Sequence, residues 1–287
     1  MSTGFFNNPV PINEPIYSYI KGSAERIRLQ ETIAELRGRQ IDISMRIGGE
    51  DVRGSRKTSM SCPHDHQHIL GYYYEGGKKE VSEVIDAALS AHAAWSAMPW
   101  ERRAAIFLKA AELSATKYRM QLNARTMLGQ SKNAYQAEID AACEWVDFLR
   151  FNVHFASQIY SDQPISSPGV WNRVEYRALE GFVYALTPFN FTAIAGNLPV
   201  APALMGNTVV WKPSPSQVYS AGLLMEILEE AGLPAGVINL VFADGPEAGE
   251  VVFSHRDFAG VHFTGSTAVF QTIWKNIGNN ISIYKSY

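Results

Sequence analysis

Apolar and polar positions change their period twice along this chain. From Ser23 to Arg39, Ile27, Ile33, Ala34 and Leu36 recur in a charged background and predict a short amphipathic helix ending at Gly38. Ile41 to Ile47 then alternates, Gly48-Gly49 turns, and Asp51-Val52-Arg53 returns, which is a hairpin pattern. A long helical stretch follows, with Val81, Val84, Ile85, Ala88, Leu89, His92 and Trp95 on one face. Pro99-Trp100 interrupts it, and Ile106, Leu108, Ala110, Leu113, Leu122, Met127 and Leu128 resume it as far as Gly129. A further helix is predicted from Ser131 to Tyr160. Its acidic residues Glu138, Asp140, Glu144 and Asp147 are expected on a solvated face.

Beyond the break at Ser161 to Pro168, and the alternating Val174 to Arg177, the pattern becomes short continuous apolar runs. Phe182 to Leu186, Thr208 to Trp211, Val237 to Phe242 and Ala259 to Phe263 read as buried parallel strands. A small-residue segment joins the first two. Helices over Gln217 to Ala231, Pro246 to Phe253 and Thr267 to Ile277 follow the later strands, and Ile281 to Tyr284 is again strand-like. Strands alternating with helices predict an α/β fold with a doubly wound parallel sheet, and residues 1–160 supply an N-terminal helical layer.

In such a sheet, ligands meet the carboxyl ends of the strands. Thr187-Pro188 with Asn190, and Lys212-Pro213, stand at two of those ends. Phe263-Thr264-Gly265-Ser266-Thr267 forms a strand-to-helix turn, where free N–H groups and the helix dipole can receive a pyrophosphate. A side chain at position 265 is expected to obstruct that approach. The dinucleotide fingerprint of three glycines is absent.

These motifs carry a resemblance. Thr187-Pro188-Phe189-Asn190-Phe191, Gly206-Asn207, Trp211-Lys212-Pro213-Ser214 and Phe263-Thr264-Gly265-Ser266 resemble, in order and spacing, the aldehyde dehydrogenase superfamily. Glu138 to Ala142, Asp147 to Asn152 and Pro188 to Ile194 are similar to its delta-1-pyrroline-5-carboxylate dehydrogenase branch, which oxidises L-glutamate gamma-semialdehyde in proline degradation. The resemblance implies an aldehyde dehydrogenase-type Rossmann variant and NAD as cofactor. It implies cofactor contacts from Thr187, Lys212, Gly245, Gly265, Ser266, Thr267, Ala268 and Val269, with Asn190 stabilising an oxyanion. It also implies a small aldehyde substrate, a homo-oligomer paired through a protruding β-hairpin over 161–180, an NAD-binding sheet over 181–287, and a mitochondrial matrix location. Two positions depart from the pattern of many relatives: Phe270 replaces a second glycine, and Pro215 replaces a glutamate that holds the ribose. The family's nucleophilic cysteine and its general-base glutamate lie beyond a Gly-Gly-Lys motif downstream of the Gly265 turn. The expectation is therefore a cofactor-binding half without its catalytic domain, inactive alone. The alternative is a non-catalytic nucleotide-binding or subunit-interaction chain.

Composition narrows this further. The 287 residues are 46% hydrophobic, ample for a packed core. With 25 basic and 28 acidic residues the net charge is 25 − 28 = −3, so no footprint for nucleic acid is visible. No uninterrupted apolar run reaches the roughly 18 residues of a membrane helix, and no membrane partner is expected. Met1 to Ile20 holds no basic residue, so neither a signal nor a transit peptide is legible. Cys62 and Cys143 are far apart, which suits two structural thiols. Cys62 with His64, His66 and His68 invites a metal reading, but no second ligand pair follows and a solvated loop is expected.

Overall fold

A computed structural model describes residues 10–285. Residues 10–22, from a Pro- and Asn-rich segment over 1–22 that reads as an extended surface arm, run without regular structure, and its first nine residues lie outside the described ones. Helix α1 (Ala24–Arg37) is N-capped by Ser23, and strands β1 (Ile41–Ile43), β2 (Met45–Ile47) and β3 (Glu50–Val52) follow. The alternating run Ile41 to Ile47 is thus two strands in two sheets. β2 and β3 make the expected hairpin across Gly48-Gly49, whereas β1 pairs in parallel with β5 (Asp65–Glu75). β4 (Arg56–Cys62) pairs antiparallel with β5, so Cys62 to Asp65 is the tip of a hairpin.

Three helices follow, α2 (Lys78–Ser96), α3 (Trp100–Ala115) and α4 (Arg119–Gln130); the break at Pro99 is the one the sequence indicates, and a second over 116–118 divides the expected run from Ile106 to Gly129. The next helix is less regular. One turn, α5 (Ala134–Ala137), leads into a π-helical stretch over Glu138–Glu144 and then into α6 (Trp145–Ser161). Here a sequence expectation fails. Glu138 and Asp140 are buried, and Glu144 and Asp147 are half-buried. This stretch is packed between α4 on one side and α7 (Thr192–Leu204) on the other, and its exposed position is taken by Ile139, not by a carboxylate.

The larger sheet has the order β3-β2-β8-β7-β6-β9, built from β6 (Phe182–Thr187), β7 (Thr208–Pro213), β8 (Ile238–Leu240) and β9 (Phe258–Phe263). These four are mutually parallel, and the β2–β3 hairpin adds antiparallel pairing at one edge. The fold is accordingly mixed α/β with mixed sheets. α7 and α8 (Val218–Ala231) carry the chain from β6 to β7 to β8 in one direction. α9 (Gly245–Phe253) then carries it back across to β9 on the far side of β6. Right-handed crossovers place α7 and α8 on one face and α9 on the other. α9 packs between α2 and α10 (Thr267–Asn280), while α3, α4 and α6 lie against α7 and α8. The reversal at β6 and β9 is a topological switch point, where open α/β sheets keep a crevice.

Two predicted elements differ. Residues 162–181 contain no β-ladder. The side-chain amide of Gln163 takes the place of a partner strand: its Nε2 donates to the Val174 carbonyl at 3.2 Å, and its Oε1 accepts from the Val174 N–H at 2.9 Å. Pro164 and Pro168 bring no N–H donors to a ladder. At the other end, Ile281 to Tyr284 turns back instead of extending, with the Ile283 N–H donating to the Asn280 carbonyl. The Tyr284 hydroxyl is anchored on the Phe253 carbonyl at 2.7 Å.

Candidate functional site

The parallel register assembles the strand ends. Lys212 on β7 pairs with Leu186 on β6, and Leu186 pairs on its other side with Phe263 on β9. Lys212, Thr187 and the Gly265 turn therefore share one edge of the sheet. The Ser214 N–H donates to the Thr187 carbonyl and the Thr264 N–H to the Leu186 carbonyl, extending the ladder to its rim.

Lys212 is only 5% exposed, yet among the described residues its ammonium makes no hydrogen bond and no ion pair. Burial pulls its pKa below the ordinary lysine value, and Asp244 nearby opposes that shift. Thr187 is buried as well, and its hydroxyl accepts from the Trp211 indole N–H at 3.1 Å, which fixes the rotamer. Asn190 behaves differently. It is exposed on the loop between β6 and α7, and its amide has no partner among the described residues.

The helices after β8 and β9 bring two N-termini to this rim. Asp244 caps α9, its carboxylate accepting from the Glu247 N–H at 3.2 Å, and Gly245 opens the helix. Ser266 caps α10, its Oγ accepting from the Val269 N–H at 3.3 Å. The first N–H groups of a helix have no intrahelical acceptor, so those of Thr267 and Ala268 are free to meet an anion.

Between α9 and α10 lies a cleft of about 800 Å³, floored by Tyr184 and Leu186 and walled by Gly245, Phe253, Ala268 and Val269. Three of the nine residues singled out in the sequence line it: Gly245, Ala268 and Val269. Thr187, Asn190, Lys212, Gly265, Ser266 and Thr267 surround the strand ends outside its walls. The two glycines differ in kind. A Cβ built on Gly245 meets nothing within 4 Å, so the bare backbone faces open space. A Cβ on Gly265 would come within 2.5 Å of the Phe263 ring, so this glycine first makes room for its own neighbour.

Sequence reasoning missed the walls contributed by Tyr184, Phe253 and Pro246, although Phe182 to Leu186 alternates faces and a helix at Gly245-Pro246 was visible. It also missed two carboxylates. Asp140 accepts hydrogen bonds from the N-terminus of α7, beside the Asn190 loop. Glu144 is half-buried, and burial followed by the nearby Asp140 charge holds its carboxyl above the ordinary range. Neither thiol belongs to this region. Cys62 is fully buried beside His64, and Cys143 faces Arg119 and Glu138, with burial pushing its pKa up to about 12.

Comparison with known proteins places this geometry. Residues 52–285 match the Aldehyde dehydrogenase family. The chain is 48% identical over 286 residues to a probable delta-1-pyrroline-5-carboxylate dehydrogenase of Schizosaccharomyces pombe, covering 98% of this chain and 52% of that protein. It is 49% identical over 279 residues to the mitochondrial delta-1-pyrroline-5-carboxylate dehydrogenase of Emericella nidulans, covering 96% and 49%. The crystal structure of the Mycobacterium tuberculosis delta-pyrroline-5-carboxylate dehydrogenase bound with NAD superposes with a TM-score of 0.98 at 51% identity, over 100% of this chain and 54% of that one. The chain spans about half the length of the curated relatives it matches.

Proposed function

The chain belongs to the aldehyde dehydrogenase family, and from that premise we propose that these residues hold NAD for the oxidation of L-glutamate gamma-semialdehyde to L-glutamate, in proline degradation. The observation that carries the reading is Lys212. Its side chain is mostly buried and its ammonium has no hydrogen-bond partner among the described residues, so its donors stay available, and a hydroxyl-rich ligand at the strand ends would give them acceptors. The open backbone at Gly245 fits the same ligand, because a dinucleotide needs close approach to the main chain.

In this reading Lys212 donates hydrogen bonds to the ribose hydroxyls. The free N–H groups of Thr267 and Ala268, with the α10 dipole, receive the pyrophosphate, while Gly245 and Val269 line the cleft that takes the rest of the dinucleotide. Ser266 and Gly265 set the turn that aims those N–H groups. Thr187, locked by Trp211, borders the nicotinamide end. The Asn190 amide donates to the oxyanion that forms when a thiolate attacks the aldehyde carbon. NAD, when bound, supplies the hydride acceptor. Pro215 supplies no carboxylate for the ribose, so that position does not select between NAD and NADP.

The attacking thiol is a separate matter. Cys62 and Cys143 are buried, and at a pKa of about 12 Cys143 carries almost no thiolate near neutral pH. In this reading neither Cys62 nor Cys143 is the attacking thiol, and the 287-residue chain by itself is expected to bind cofactor without oxidising aldehyde. Exposed Ile165 and Trp171, at 92% and 79%, suit a subunit contact through 162–180 in a homo-oligomer. A mitochondrial location is proposed from the name of the Emericella nidulans relative, the matrix being what the resemblance implies, and no described helix is long and apolar enough to cross a membrane.

Calorimetric titration of NAD into this chain and into Gly245→Trp tests the reading. Binding by the first and none by the second is expected, since a Cβ at 245 meets nothing within 4 Å and an indole extending from it would occupy the cleft. Equal affinity in both would place the cofactor elsewhere.

A further inference from the structure

Asp140 and Lys132 lie outside the cofactor cleft, and the reading above gives them no task. α7 begins two residues after Asn190, and its N-cap residue, Phe191, has no side-chain oxygen to accept from the first N–H groups. Those donors cannot go unsatisfied, because Thr192 and Ala193 are both fully buried. Asp140 supplies the acceptor from a different element. Its Oδ2 accepts from the Thr192 N–H at 3.0 Å and its Oδ1 from the Ala193 N–H at 2.9 Å. The Lys132 ammonium donates to the same carboxylate at 2.6 Å and lies 4.0 Å from the centre of the Phe191 ring. A charged acceptor at a helix N-terminus makes bonds roughly twice as strong as neutral ones and also meets the helix dipole.

The π-helical stretch presents Asp140 to α7, and such irregular turns recur at functional sites. The geometry points to Asp140 and Lys132 as positioning residues for Asn190: carboxylate and ammonium together clamp Phe191 and Thr192, next to the exposed amide. Asn190 has no hydrogen bond of its own among the described residues, so its backbone alone fixes its direction. The inference rests on the reading of Asn190 as the oxyanion donor, where a small misplacement costs rate.

Amide hydrogen exchange, followed residue by residue in the 287-residue chain, tests the clamp without reference to activity. In Asp140→Asn, exchange at Thr192 and Ala193 is expected to accelerate by about tenfold to a hundredfold, while the centres of α7 and β6 keep their rates. Lys132→Met leaves the acceptor in place and should show a smaller change at the same two amides; it also serves if the first variant fails to fold. Unchanged exchange at Thr192 and Ala193, or uniform acceleration along the chain, overturns the proposal.

Kinetics in an active dehydrogenase of the relatives' full length carrying these residues separates the two readings. Asp140→Asn should lower kcat with KM for NAD unchanged, and the loss should not add to that of Asn190→Ala. Loss of kcat in Asn190→Ala with wild-type kcat in Asp140→Asn overturns the positioning role. Wild-type kcat in Asn190→Ala overturns the oxyanion reading instead, and the exchange result then decides the clamp.

Discussion

Arg119 and Lys212 are both withdrawn from water, at 1% and 5% exposure, but their surroundings are opposite. The Arg119 guanidinium donates to Glu138, to Glu14 and to the Pro15 carbonyl, and stacks 3.8 Å from the Tyr17 ring centre. Glu138 in turn accepts from Tyr19 and Asn123. Burial lowers the Arg119 pKa, but the hydrogen bonds and charge of Glu138 and Glu14 outweigh it and hold the group charged. Lys212 has only the field of Asp244. This hydrogen-bonded cluster ties the residue 13–19 arm to α4 and the π-helical stretch, so its charges act on the fold. The Lys212 ammonium has no hydrogen-bond partner among the described residues, and that difference supports the proposal that it meets a ligand.

The comparison breaks first at Glu138. Glu138→Ala leaves Arg119 buried without its main partner and should cost about 3–5 kcal/mol of stability. Chemical denaturation would measure it, and a loss below about 1 kcal/mol would mean the network is dispensable. The same cluster shields Cys143. With its pKa pushed up to about 12 by burial and then by Glu138, its alkylation at pH 8 should run about a thousandfold slower than that of a free thiol, whose pKa is near 8.5. Mass-spectrometric labelling at the rate of a free thiol would contradict the burial argument.

At the other site the effect on stability should be small and of opposite sign. Lys212→Met removes a charge that has no ion-pair partner among the described residues from a mostly buried side chain, and should stabilise the chain by up to about 2 kcal/mol. The gain should depend on pH in a defined direction. The folded-state pKa of Lys212 lies below the unfolded one, so the unfolded chain holds the proton more tightly between the two values. Wild-type stability therefore rises with pH through that window, and the advantage of methionine fades as the folded-state ammonium deprotonates. Melting curves at neutral and alkaline pH would reveal a constant advantage if the lysine had a hidden partner.

The sheet side of this contrast was legible in the chain and the cluster side was not. β6 and β7 announce themselves as continuous apolar runs, and Lys212 at the end of one has few structural tasks open to it. Glu138 and Asp140, by contrast, look like any acidic helix surface, because their burial depends on α4 and α7 closing over both sides. β4 was missed for a related reason. Arg56 to Cys62 is mostly polar and only Met60 and Cys62 are buried, so the strand is defined by its partner β5 and not by its own pattern. The alternation at Val174 to Arg177 misled in the other direction, since its expected partner strand is replaced by the single amide of Gln163. Gly265 was legible as a special position, although the space it leaves is taken by Phe263.

The most direct test of the claim that Lys212 is held for a ligand is calorimetric titration of NAD into the Lys212→Ala chain beside the wild type. Losing hydrogen bonds from a charged donor is worth roughly 1.5–3 kcal/mol, so NAD affinity should fall by about tenfold to more than a hundredfold while the folded state is kept. Wild-type affinity in Lys212→Ala would contradict the account and leave the buried ammonium without a reason.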